Sequence, residues 1–91
     1  MAKLLKTNGT QVQISPQNES KFTLEELQGY VGGYIQIVSI NASDIMIVNE
    51  EGKIYNKPYN KIATQIFYNS TSNRSDYIVG DAVICSRNEL E

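Results

Sequence analysis

Residues 22–40, FTLEELQGYVGGYIQIVSI, decide how the chain is read: a capped helix, a glycine stop and an apolar strand follow one another without a break. Thr23 and Glu26 stand in the T-x-x-E relation of a capping box, in which the threonine hydroxyl takes a first-turn N–H and the glutamate reaches back to the threonine N–H. Phe22 before the cap and Leu27 one turn in have the spacing of a hydrophobic staple. Leu24, Leu27 and Val31 make an apolar stripe about two turns long, and Glu25 and Glu26 lie at the positive end of the helix dipole. A helix this short needs tertiary packing to persist. Gly32 suits the left-handed position that ends a helix, and Gly33 lets the backbone leave where a side chain would block it. A glycine pair can also cradle a phosphate, but such loops run from a strand into a helix N-terminus, so a helix stop is the simpler reading.

Upstream, Asn8-Gly9 is a hairpin-turn signal between residues 3–7 and 10–14. Val12 and Ile14 alternate with Gln11 and Gln13, so a ribbon with one wet face is expected. Residues 15–20 are a polar connector in which Pro16 ends the strand. Downstream, residues 34–40 put Ile35 and Ile37 on one face and Tyr34, Gln36 and Val38 on the other, the pattern of a central strand partly covered on both sides. A turn at 41–44 leads to a strand at 45–49. Glu50-Glu51-Gly52 then supplies a tight turn into a further strand at 53–55.

A bend at Pro58 precedes a second helix over residues 60–68, where Ile62, Ala63, Ile66 and Phe67 share a face away from Lys61, Thr64 and Gln65. Eight consecutive polar residues, 69–76, read as a mobile surface loop. Residues 77–79 and 82–85 are the last strands, with Gly80-Asp81 between them as either a turn or a bulge. Residues 86–91 form a polar, frayed tail. The order ββαβββαβ(β) describes an α+β fold, a mostly antiparallel sheet of five to seven strands with two short helices against it.

The 91 residues suffice for a single domain spanning 1–91 with one modest core. A formal charge of −2 and a pI near 5.1 argue against a sequence-independent nucleic-acid binder, which carries a basic stripe. Neither an apolar run long enough to span a membrane nor the apolar core of a signal peptide is present, so a cytoplasmic protein without a membrane partner is expected. With no histidine and one cysteine, most metal sites and most nucleophile–base pairs are removed together. Cys85 lies in an apolar strand pattern and reads as a small buried hydrophobe. Glu50 and Glu51 read as solvated turn residues, and Asp81 as a turn aspartate. There is no phosphate-binding loop of the Walker type, no dinucleotide fingerprint and no hydrolase elbow. No enzyme activity, metal or cofactor is expected.

Binding is the better class. Six tyrosines stand against two phenylalanines and no tryptophan. Tyrosine offers a flat apolar ring with a polar tip, useful at interfaces and for stacking on bases, and equally at home along the edge of a small sheet. Tyr55, Lys57, Tyr59, Asn60 and Lys61 cluster around Pro58 at a helix N-terminus, where backbone N–H groups favour an anion. Arg74, on the polar loop, is placed to close over such a site, or simply to be solvated.

The runs Leu27-Gln-Gly-Tyr-Val-Gly-Gly-Tyr-Ile-Gln-Ile-Val38, Val48-Asn-Glu-Glu-Gly52, Pro58-Tyr-Asn60 with Ala63-Thr64, and Val79-Gly-Asp81 resemble a family of small domains of unknown function, DUF3846, seen in phages and bacterial mobile elements. Where that family often has an acidic residue after the Tyr-Ile pair, this chain has Gln36. The resemblance implies no activity and no catalytic residue. It implies a setting, the cytoplasm of a bacterial host, in which small acidic phage proteins bind host components and antagonise defence.

Three functions follow as expectations. The first is a homo-oligomeric, non-enzymatic counter-defence protein that sequesters a nucleotide-like signal or masks a host protein; in its sequestering form Tyr55, Lys57, Tyr59, Asn60 and Arg74 hold the ligand. The second is an inhibitor whose acidic surface mimics DNA, and the third an enzyme built around Asp81 or Glu50.

Overall fold

In the computed structural model, which describes residues 2–18, 20–71 and 75–90, strands and helices follow in the order ββαββαβ. They are β1 (Ala2–Leu5), β2 (Gln11–Ile14), α1 (Leu24–Val31), β3 (Ile35–Ser39), β4 (Asp44–Asn49), α2 (Lys61–Ser70) and β5 (Ala82–Ser86), closed by a short 3-10 turn over Arg87–Glu89. The strands form one antiparallel sheet ordered β2-β1-β5-β4-β3. The fold is α+β, as the sequence pattern implies.

Each face of the sheet carries its own core. Ala2, Leu4, Ile45, Ile47, Val83 and Cys85 pack with Phe22, Leu27 and Val31 of the α1 segment. Leu5, Met46, Val48 and Ala82 pack on the opposite face with Ala63 and Ile78, and with Ile62, Ile66 and Phe67 at the margin. Alternation along β4 feeds both, since Ile45 and Ile47 point one way and Met46 and Val48 the other. Burying Leu27 or Val31 contributes roughly 1.5–3 kcal/mol each, which is what an eight-residue helix needs from its surroundings.

The α1 boundaries follow local chemistry. Thr23 Oγ1 accepts the Glu26 N–H at 3.2 Å, and Glu26 Oε1 accepts the Thr23 N–H at 3.0 Å. Gly32 ends the helix in the left-handed region at φ 79°, and the Gly32 and Gly33 N–H groups both bond to Gln28 O. A Cβ on Gly33 would meet Asn49 Nδ2 at 2.9 Å, so the exit from the helix is sterically closed to a side chain.

Several elements differ from expectation. β3 is an edge strand, not a central one: β5 inserts between β1 and β4 and leaves β3 outermost. No strand forms at 53–55. The Lys57 N–H bonds to Gly52 O at 3.0 Å and Asn56 takes a left-handed φ of 54°, which coils the segment into successive turns. Residues 77–79 contribute a single antiparallel bridge, Tyr59 to Val79, and Gly80 at φ 77° turns the chain before β5. α2 runs to Ser70, two residues into the stretch expected as loop, and residues 72–74 lie outside the described residues. The stretch read as a frayed tail is docked as far as Leu90: the Phe22 N–H bonds to Glu89 O at 2.6 Å, and Phe22 and Leu90 bridge in parallel.

Candidate functional site

The loop between β4 and α2, residues 50–60, collects most of the surface features that point to function, and two buried asparagines hold its ends. Asn49 donates from Nδ2 to Val31 O at 3.0 Å and accepts the Glu51 N–H on Oδ1 at 2.8 Å, so it ties the end of α1 to the start of the loop. Asn60 caps α2 by accepting the Ala63 N–H at 3.0 Å. Its Nδ2 donates to Leu5 O at 2.8 Å and to Gly80 O at 2.9 Å, which joins the loop to β1 and to the turn before β5. Between them the loop lies against Val79, so close that a Cβ on Gly52 would meet Val79 Cγ2 at 2.9 Å.

The residues expected to bind a ligand do not converge on one pocket. Asn60 is fully buried, with its side-chain amide engaged by the protein itself. The Lys57 stem lies over Gly80, and its ammonium reaches the C-cap of α1, 3.4 Å from the place a Gly32 Cβ would occupy. A cation there complements the negative end of the α1 dipole, whose last turn has no basic residue of its own. Lys57 lines a cleft of about 290 Å3 with Thr7, Tyr30 and Asp81, where the Asp81 carboxylate accepts the Thr7 N–H at 3.1 Å. Tyr55 lines a different cleft, of about 580 Å3, together with Tyr34, Gly29, Gly32 and Gly33. Tyr59 leans on Tyr77, ring centroids 6.0 Å apart. Arg74 lies outside the described residues.

The loop and the segments beside it do carry exposed aromatic and aliphatic surface, in two groups. Tyr34 (66% exposed) and Tyr55 (65%) share one cleft; Ile54 (74%) and Tyr77 (42%) share a second, smaller one of about 120 Å3; Tyr59 (52%) continues from Tyr77. Lys53 steadies the second group, its ammonium 4.3 Å from the centroid of the Tyr77 ring and paired with Asp76. The hydrogen bond from Lys53, with a second from the Tyr77 N–H, holds the Asp76 carboxyl below its usual pKa. Tyr34, Ile54 and Tyr77 were missing from the expected site because each reads as an ordinary strand residue until the turns at 50–57 bring the segments together.

Among the described residues no group of histidine, cysteine and carboxylate side chains could hold a metal ion, and no helix is long and apolar enough to cross a membrane. Cys85 is buried, and burial, with the nearby Glu89 carboxylate, pushes its thiol up to about 11. No curated protein and no solved structure matches the chain. A family model does match, over residues 1–91, and the chain belongs to the family it describes, the domain of unknown function DUF3846.

Proposed function

We propose that the protein is a non-enzymatic binding protein of a phage or mobile element, that it masks a host protein in the service of counter-defence, and that Tyr34, Ile54, Tyr55, Tyr59 and Tyr77 make the contact. The observation that supports this is the exposure of five large side chains on and beside the 50–60 loop: Tyr34 with Tyr55 along one cleft, Ile54 with Tyr77 along another, and Tyr59 against Tyr77. Exposed apolar side chains scattered singly need no explanation, but groups of them mark interaction sites, and tyrosine is enriched where binding energy concentrates. The asparagine anchors at both ends limit the ordering cost of association.

The test is capture from an extract of the bacterial host on immobilised wild type and on the double variant Ile54→Ser, Tyr55→Ser. Retention of one protein by the wild type, lost by a variant that melts at the same temperature, supports the proposal. Identical retention by both would refute it.

A second reading, sequestration of a nucleotide-like signal, is favoured by the cleft of about 580 Å3 that Tyr34 and Tyr55 line together with Gly29, Gly32 and Gly33. Thermal-shift measurements with cyclic dinucleotides and cyclic ADP-ribose variants test it, and no stabilisation by any of them counts against it. An acidic DNA mimic has less support. Glu26, Asp44, Asp76 and Glu89 each accept a hydrogen bond from a residue close by in sequence, Asp81 accepts one from Thr7, and the five lie on separate segments.

A further inference from the structure

We propose that β3 is a dimerisation strand, pairing antiparallel with β3 of a second copy about a two-fold axis through Ile37, so that two five-stranded sheets become one continuous sheet. The backbone pattern supplies the first argument. β3 and β4 pair Ile35 with Asn49, Gln36 with Val48, Ile37 with Ile47, Val38 with Met46 and Ser39 with Ile45. The flanking hydrogen bonds, Glu50 N–H to Tyr34 O at 2.8 Å and Ile40 N–H to Asp44 O at 3.1 Å, fix which pairs are bonded. Bonded and non-bonded pairs alternate in an antiparallel ladder, so Gln36 and Val38 point their backbone groups at β4. Ile35, Ile37 and Ser39 therefore point theirs outward, and β3 is the last strand of the sheet.

The outward set is symmetric about its middle residue. A two-fold at Ile37 sets Ile37 against Ile37 of the second copy as a bonded pair, and Ile35 against Ser39 on either side. Every outward N–H then meets a C=O. The Ile37 side chain, 48% exposed beside Ile47 on the α1 face, would be covered by its own copy.

The second argument is what the edge lacks. Sheet edges are kept from pairing by charge, proline or a bulge. Tyr34–Ile40 carries no charged residue and no proline, and its pairing with β4 runs without a bulge. The strand itself is neutral, and the charge bonded to it, the Arg87 guanidinium on Ser39 Oγ, lies at its end, away from the Ile37 axis. The opposite edge fits a partner less well. By the same alternation, with the Lys6 N–H bonded to Thr10 O, β2 turns only Gln11 and Gln13 outward, and Pro16 follows shortly after. The ladder needs nothing bound at the 50–60 loop, although Tyr34, at the start of the strand, also belongs to the surface proposed there.

Sedimentation velocity of the wild type, Ile37→Lys and, as a control on the other edge, Gln13→Lys tests the assignment. At roughly 100 μM the wild type and Gln13→Lys are expected to be dimers, while Ile37→Lys, which sets two ammonium groups together on the axis, dissociates at least about tenfold more readily. A wild type that stays monomeric, or a dimer that Ile37→Lys leaves intact, overturns it. Should Ile37→Lys fail to fold, hydrogen exchange on the wild type decides: the amides of Ile35, Ile37 and Ser39 are expected to be protected at high concentration and to lose protection on dilution. Exchange at those amides that is fast at every concentration overturns the proposal.

Discussion

Asn60 Nδ2 donates to Leu5 O and Gly80 O, and Oδ1 accepts the Ala63 N–H, all in a region closed to water. Replacing it removes three buried hydrogen bonds at once, and buried groups left unpaired cost far more than the net worth of a bond. Asn60→Ala is expected to lower stability by about 2–4 kcal/mol in urea titrations. Asn60→Asp should do at least as much harm, since an oxygen replaces the donor that faces two carbonyls. Cys85 behaves in the opposite sense. Its buried thiol, raised to about 11, is expected to react with a disulfide reagent at neutral pH only as fast as the protein unfolds, a rate that denaturant will accelerate.

At the level of elements, α1 is the part whose stability is most easily dissected. Glu26 receives N–H groups from Thr23 and Gln17, which hold its carboxyl below the usual 4.5. A folded-state pKa below the unfolded one contributes stability that is complete above 4.5 and is lost as the pH falls through the lowered folded value. The melting temperature is therefore expected to hold from about pH 7 to 5 and drop below it, with a shallower drop in Glu26→Gln. Gly29 lies inside α1, and a methyl group added there would meet nothing within 4 Å beyond its neighbours and the helix's own backbone, so Gly29→Ala should stabilise the fold by about 0.5–1 kcal/mol. An unchanged or lower melting temperature would show that the helix gains nothing there.

The α1 segment was legible in sequence because a capping box, a staple and a left-handed glycine each involve residues within a turn of one another. The 53–55 segment was not. Its Ile54 and Tyr55 are good strand residues, and the turns are made by the hydrogen bonds from Tyr55 to Glu51, Asn56 to Lys53 and Lys57 to Gly52, with the left-handed Asn56.

For the whole molecule, what sequence pattern missed is set by topology. Ile35 and Val38 give β3 apolar character on both faces, yet β5, arriving last in the chain, takes the place between β1 and β4 and leaves β3 at the edge. The same limit hid the candidate surface. Tyr55 and Tyr59 were visible around Pro58, but Tyr34 and Tyr77 join them only through the turns at 50–57 and the Tyr59–Val79 bridge. Asn60, whose position before a helix suggested an anion site, serves instead to lock three segments together. Fold class is thus readable from periodicity, whereas a surface assembled from distant segments is readable only once the strand order is known.

The central claim is that this surface exists for recognition. A photoreactive benzophenone amino acid placed at position 54, and separately at position 12 on the opposite edge of the sheet, tests it in cells of the bacterial host that the proposed function implies. Crosslinking to one host protein from position 54, and not from position 12, is the predicted result. The same products from both positions, or none from position 54, would contradict it.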